Sequence, residues 1–447
     1  MIVYIIKTNI MSTHKVSPWQ WIPTLYMAEG LPYFAVNTLT VLMYVNMGIG
    51  MKEMAFYTGW LYLPWVIKPF WSPFVDLIKT KRWWVLIMQF AIAICMGAVA
   101  IMLPSSFFFV LTLLVFWIMA FCSATHDIAA DGYYMLELSA HDQAAYVGVR
   151  STFYRIASVI GQGGLVIIAG KLEESIGDIP TAWAIVFGLL SLFFLSVTIY
   201  HSKFMPIPYR DKLSNKKSVG SIIIEFGHTF KTFFRKKYIW SAIGFMLLYR
   251  LPEALCIKLI QPFMASSHSQ GGLELSTAQI GIINGTVGVI ALLLGGILGG
   301  VVISKGGLKK WLWPMAFSLT LPCGFYCLLA MTQPTNFILI STAVFIEQFG
   351  YGFGFSAYML FLIYFSRGES QTSHYAFCTA FMALGMMIPG MIAGWIYEYL
   401  SDIVIFESSQ LQGQGFVNFF WIVMLTCLAT LWICSKVKIE SSFGKKI

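Results

Sequence analysis

Twelve long, almost uncharged runs follow one another along the chain, and each is long enough to cross a lipid bilayer, which takes about 20 mostly apolar residues. One of them reads SFFFVLTLLVFWIMAF over residues 106–121. In hydrocarbon the backbone must satisfy its own hydrogen bonds, so runs of this kind become helices packed side by side. A membrane β-barrel would show short alternating segments instead. Composition agrees: 58% of the 447 residues are hydrophobic, 11% are charged, and mean hydropathy is +0.74. A soluble chain of this length needs more charge to cover its surface. The predicted helices span 18–46, 54–78, 83–103, 107–136, 145–170, 180–202, 238–264, 277–303, 311–331, 336–364, 374–399 and 416–435.

Basic residues fix an expected orientation. With a cytoplasmic N-terminus, the outer loops hold only Lys52 and Lys171 among the cations, together with Glu173, Glu174, Asp178, Glu398, Asp402 and Glu407. Most of the other Lys and Arg fall in inner loops and tails, so both termini are expected in the cytoplasm. The net charge of +9 then reflects topology and gives no reason to expect a nucleic-acid partner. The eight cysteines all lie in apolar runs without CxxC or Cys/His spacing, which predicts small buried side chains and no metal site. MIVYII at the N-terminus is too short for a signal sequence, and Met11 is a second candidate start. The expected organisation is a 1–17 N-terminal segment, a six-helix bundle over 18–202, a basic linker over 203–237, a second bundle over 238–435 and a 436–447 tail. The linker has the composition of a surface-lying amphipathic helix near Ile222–Phe234.

The halves echo each other in order. EGLPYF (29–34) matches YRLPEA (249–254), PFVDLIKTKRWW (73–84) matches GVVISKGGLKKW (300–311), and GYYML (132–136) matches SAYML (356–360). Their nearly constant displacement argues for duplication. Two six-helix pseudo-repeats joined by a basic loop are the plan of the major facilitator superfamily, an all-α polytopic membrane fold of 12 transmembrane helices whose halves rock about a midplane site.

Within that plan the chain resembles the AmpG-type muropeptide permeases. The residues that carry the resemblance are GLP (30–32), KPFWSPFVD (68–76), AFCSATHDIAADGY (120–133), YR (154–155), LYRLPEAL (248–255), IGIINGTVG (280–288), IEQFGYGFG (346–354) and AGW (393–395). The chain departs from the pattern at His126, where the family usually has Gln, at Gly285, where Lys often follows Asn, and at Met386, where Arg can follow Gly. It also ends after twelve helices, whereas some of these permeases carry two more. The resemblance implies a monomeric carrier of the bacterial inner membrane, without cofactor or metal, that imports a glycan or glycopeptide on the proton gradient.

Charges inside the spans mark the expected site, because each costs about 2.5–3.5 kcal/mol at a helix centre. The acids Glu29, Asp127, Asp131, Glu253 and Glu347 are the candidate proton carriers. Arg155, Arg250 and Lys68, with His126 and the rings of Tyr33, Tyr134, Tyr154 and Tyr249, are the candidate substrate contacts. Counted at 1.5 Å per residue, Asp127 and Arg155 lie at equal depth, roughly 15 Å from the cytoplasmic surface, and are expected to pair. Asp131 with Arg150 forms a shallower rung, and Glu253 is placed to bond Arg250 at i+3. Glu29 has no local basic partner, and Lys258 is expected to snorkel at the outer face. Asp76, Lys81, Arg82 and Arg150 are assigned to gating. Muropeptide import is the leading expectation and import of an acidic disaccharide its rival. A membrane acyltransferase using His126 and Asp127 fits less well, since adjacent residues point to different helix faces.

Overall fold

A computed structural model of the chain describes residues 16–138, 140–207, 219–368, 371–404, 413–441 and 443. The predicted 1–17 segment up to residue 15, Met11, the linker residues 208–218 and the tail from 444 lie outside the described residues. Among the described residues the regular structure is entirely helical. All twelve predicted runs are helices, and a further helix lies between the sixth and the seventh. In chain order they are α1 (22–46), α2 (51–77), α3 (Lys81–Met102), α4 (Phe108–Glu137), α5 (140–176), α6 (Ile179–Phe204) and α7 (Val219–Phe234). Then come α8 (239–265), α9 (Thr277–Gly306), α10 (Leu308–Thr332), α11 (Phe337–Ser366), α12 (Gln371–Ser401) and α13 (Gly415–Lys436).

Nine of the twelve are continuous and apolar enough to cross a membrane by length and composition, among the described residues. Of the other three, α2 and α8 are interrupted, and prolines explain both breaks, whereas α1 runs on through a π turn at Ala35–Leu39. Pro64 follows the break at Leu61–Tyr62, and Pro252 follows the break at Tyr249–Arg250. A proline has no N–H to give to the carbonyl four residues back. For Pro252 that carbonyl belongs to Leu248, and the hydroxyl of Thr430 on α13 donates to it instead, at 3.1 Å. These three helices are also the ones that carry Glu29, Lys68, Arg250, Glu253 and Lys258.

Within the first bundle α3 packs between α4 and α6, around Phe116, Trp183, Phe187 and Phe194. In the second, α9 and α11 pack most extensively. Gly295 and Gly299, one turn apart on α9, let its backbone approach Phe349 and Phe353 of α11, the small-residue contact typical of membrane helices. The eight cysteines are free, seven of them buried.

The bundles meet along two seams, α5 with α9 and α2 with α12. Both seams are tight toward the end that carries the acidic loops. Asn46 Nδ2 donates to Glu173 Oε1 at 2.9 Å and to Thr277 Oγ1 at 2.7 Å, and the Thr277 hydroxyl also bonds Glu173. The Trp183 indole donates to the same Glu173 oxygen at 2.7 Å. Lys52 reaches Glu398 at 3.5 Å and lies over the Trp395 ring at 3.8 Å. Exposed pairs of this kind contribute little, so packing decides the closure. Its centre is Gly163 against Gly285, where wide π-type turns of α5 and α9 touch backbone to backbone. A Cβ on Gly285 would collide with the Gly163 backbone at its Cα and N, which explains why a lysine has no room at position 285.

Gly285→Val should therefore hold the acidic end apart, at a cost to the closed arrangement of about 1–3 kcal/mol, the usual range for overpacking. A cysteine pair at Asn46 and Thr277 should crosslink efficiently on the otherwise unchanged background and several-fold less with Gly285→Val. Equal yields would remove this contact from the closure.

Candidate functional site

Asp127 and Asp131 stand one turn apart on one face of α4. Glu29 of α1 faces them, and oxygens of the three carboxyl groups lie within 4.8 Å of one another. Two cations enter from neighbouring helices. Lys68 of α2 donates to Asp127 Oδ2. Arg150 of α5 meets Asp131 Oδ1 at 2.6 Å and stacks over the Tyr26 ring at 4.6 Å, with Tyr134 at 5.8 Å. The Tyr26 hydroxyl donates to the same Asp131 oxygen at 3.3 Å. Glu29 Oε2 is buried with no hydrogen-bond partner among the described residues. Three acids against two bases leave one negative charge, which a single proton or other monovalent cation would cancel. The side chains of Lys68, Asp127, Asp131 and Arg150 are 29%, 20%, 34% and 32% exposed. The cluster is thus partly exposed, while the halves pack together at the acidic end.

Several assignments change here. Asp127 pairs with Lys68 on α2 and not with Arg155. Arg155 is exposed, and no carboxylate among the described residues is within ion-pair distance of it. Depth along adjacent helices says nothing about azimuth, and it is Lys68 of α2, not Arg155 of α5, that meets Asp127. Lys68 is accordingly committed to an acid and is not a free substrate cation. His126 leaves the site altogether. It is buried and points into the first bundle, where Gln89 Nε2 donates to its Nε2 at 3.0 Å. Gln89 Oε1 accepts from His201 Nδ1 at 3.0 Å, and Thr24 Oγ1 meets His201 Nε2 at 2.8 Å. This chain of polar side chains across α1, α3, α4 and α6 was missed from sequence. Its signal was there, in single polar residues set within apolar helices.

A second group forms where α1, α2, α8, α11 and α12 converge. Arg250, at the break of α8, donates to Glu253 at 2.7 and 2.9 Å and to the Tyr351 hydroxyl at 2.8 Å, with the Phe355 ring 4.8 Å away. Glu253 sits in the first turn of the segment that Pro252 starts, where an acid suits the helix dipole. Tyr33 packs edge-on against Tyr62 and Trp65 at 6.2 and 5.2 Å. Arg250 and Glu253 are within electrostatic reach of Tyr33 and Tyr62, and Tyr154, packed on Phe34, is within reach of Tyr33 and Glu29. The aromatic group thus adjoins the carboxyl cluster. Met386 packs into the same cluster as Tyr33 and Tyr62, which leaves this chain without a cation at that position.

Lys258 does not snorkel. It is buried between the halves, where its ammonium donates to Thr58 Oγ1 at 3.1 Å, the Tyr62 ring lies 5.3 Å away, and Gly390 of α12 borders its stem. No acid among the described residues pairs with it. Tyr249 is a packing residue, buried against Phe245 and Tyr358 with its hydroxyl on the Gly354 carbonyl at 3.0 Å. Glu347 is buried and accepts from Tyr326 and Gln348 at 2.9 Å each, within electrostatic reach of Glu253. Of the gating residues, Arg82 donates to the carbonyls of Met205 and Ser202 at 3.0 and 2.6 Å. It ties α3 to the end of α6 inside one bundle. The Lys81 stem lies against Gly132 of α4. The Asp76 side chain lies outside the described residues.

Known proteins carry the same architecture. Over 382 residues the chain is 24% identical to the anhydromuropeptide permease of Escherichia coli strain K12, covering 84% of this chain and 73% of that one. The D-xylose–proton symporter superposes with a TM-score of 0.68 at 13% identity over 96% of this chain and 99% of the other. An inward-facing, unoccupied bacterial homologue of the human lysosomal transporter Spinster gives 0.71 at 13% identity over 95% and 96%. Residues 24–363 match the description of the Major Facilitator Superfamily, and the chain, a multi-pass transporter and no enzyme, belongs to that family.

Proposed function

We propose that this protein is a proton-coupled importer of an anhydro-muropeptide, working as a monomer in a bacterial inner membrane with both termini in the cytoplasm. The observation that carries the coupling is the Glu29–Asp127–Asp131 cluster with Lys68 and Arg150. Its one uncompensated negative charge gives a proton a place to bind and a reason to leave when the pairing is rearranged. With the basic end in the cytoplasm, closure at Gly163–Gly285 faces outward, and the cluster drains inward. Rocking the halves apart along the α5–α9 and α2–α12 seams would reverse that access.

The substrate assignment rests on the similarity to a permease named for anhydro-muropeptides and on chemistry suited to them. Tyr33, Tyr62 and Trp65 offer faces for sugar rings, and Arg250 offers a fork for a carboxylate. Lys258 supplies a second cation. A buried ammonium held by one hydroxyl is costly, and parting α2 from α8 and α12 would bare it to a substrate carboxylate entering from the acidic end.

Labelled anhydro-muropeptide should accumulate in proteoliposomes under an inward-directed proton gradient, and an acidic disaccharide that accumulates in its place would move the assignment to the rival substrate. Asp127→Asn should abolish gradient-driven accumulation while sparing substrate exchange. Lys68→Met should destabilise the fold by about 3–5 kcal/mol, because it strands the Asp127 charge. Adding Asp127→Asn to it should restore thermal stability without restoring accumulation, and a double variant no more stable than Lys68→Met would contradict the pairing. Lys258→Met should raise KM about tenfold, equivalent to about 1.4 kcal/mol, for a carboxylate-bearing substrate. It should leave KM unchanged for a neutral analogue; an equal rise for both would reduce Lys258 to packing.

A further inference from the structure

A cavity of about 590 Å³ opens at the basic end of the second bundle, with no lining residue from α2, α5, α9 or α12. Its wall is built from the α7–α8 turn, the end of α11 and the segment after α13. Four cations converge on it, Lys236, Lys237, Arg367 and Lys438, against one acid, Glu440. The transport cycle proposed above uses none of them. Lys236 Nζ is already engaged, donating to the carbonyls of Phe365 and Arg367 at 2.6 and 2.7 Å, and so fixes the C-terminal end of α11. Arg367 lies 4.1 Å over the Phe443 ring. Lys237 and Lys438 flank the Tyr238 ring at 5.1 and 4.8 Å, and both are exposed.

Tyr238 itself is held in the left-handed region at φ 64°, uncommon for a bulky residue and a mark of a position held by its surroundings. Its two lysine neighbours keep the phenol below its usual range. Next to the cavity mouth the surface turns apolar. Trp240 on α8 is 76% exposed, Leu428 and Trp432 on α13 are also exposed, and the two helices pack together through Gly244 and Ile433. Cations and hydroxyls at the rim of the bundle, directly beside an uncharged lipid-facing surface, match the two parts of a phospholipid. A soluble phosphate compound would have no use for the second part.

We propose that this cavity binds the phosphate headgroup of an anionic phospholipid from the leaflet at the basic end, with its acyl chains along Trp240 and Trp432. Basic pockets between membrane helices recognise such headgroups by charge. The site is independent of the substrate assignment, and its test reads binding and not transport.

Native mass spectrometry of the full-length protein in detergent, titrated with phosphatidylglycerol or phosphatidylcholine, measures retention directly. The wild-type chain should retain phosphatidylglycerol preferentially. Lys237→Gln with Lys438→Gln, both exposed and outside the packed core, should weaken that retention by roughly twenty- to thirtyfold, given what each basic side chain contributes beside an anionic lipid. Lys309→Gln with Lys310→Gln removes the same charge at the same end but outside the cavity, and should leave retention unchanged. An equal loss in both double variants would reduce the effect to overall charge and overturn the site. Inorganic phosphate or glycerol phosphate that displaces the lipid at comparable concentration would overturn the lipid as its source.

Discussion

Hydrocarbon cannot solvate a lone charge, so each ionised side chain inside the bundle has to find a partner side chain or be reached by water. The Lys68–Asp127 pair answers that demand in the first bundle and Arg250–Glu253 in the second. The two solutions differ in kind. Arg250 and Glu253 are three residues apart on one helix, and their bond survives any rigid-body motion. Lys68 and Asp127 come from α2 and α4, Arg150 and Asp131 from α5 and α4, and Glu29 from α1. That network draws on four helices, so small shifts among them change which acid is compensated. The first half thus holds the inter-helix network and the second a pair within one helix.

The geometry of the breaks supports this division. Pro252 ends one helical segment and starts another, and Thr430 takes up a carbonyl that the break frees. The cost of interrupting a membrane helix is thereby reduced at the point where Arg250 must project into the centre. Pro64 breaks α2 beside Tyr62, between Thr58, which holds Lys258, and Lys68, which holds Asp127. The same helix thus touches both Lys258 and the carboxyl cluster. The wide turns in α5 and α9 bring Gly163 and Gly285 together at the closed seam and separate the rigid upper and lower parts of each helix.

Helix number and register were legible because apolar length is a one-dimensional property, and each predicted run is helical in the structure. The Asp131–Arg150 contact and the Arg250–Glu253 bond were also legible, since helical spacing and depth determine them. The Asp127 partner was not. Depth made Arg155 and Asp127 level, but rotation about the helix axis decides which neighbour a side chain meets, and α2 supplies it. His126 shows the same limit: one residue from Asp127 means about 100° of rotation, enough to turn it from the cleft into the Gln89–His201 chain. Lys258 looked like a residue near a helix end, and only the packing of α2 and α12 against α8 shows it enclosed. Tyr62 and Trp65 had no distinguishing signal among the many aromatic residues.

The central claim is that one proton occupies the carboxyl cluster during each turn of the cycle. Proton flux measured with an internal pH-sensitive dye, in proteoliposomes given anhydro-muropeptide without any imposed gradient, tests it most directly. The account predicts acidification of the lumen in step with substrate entry, lost in Asp127→Asn although that variant still exchanges substrate. Substrate entry with no accompanying acidification in the unaltered protein would contradict it.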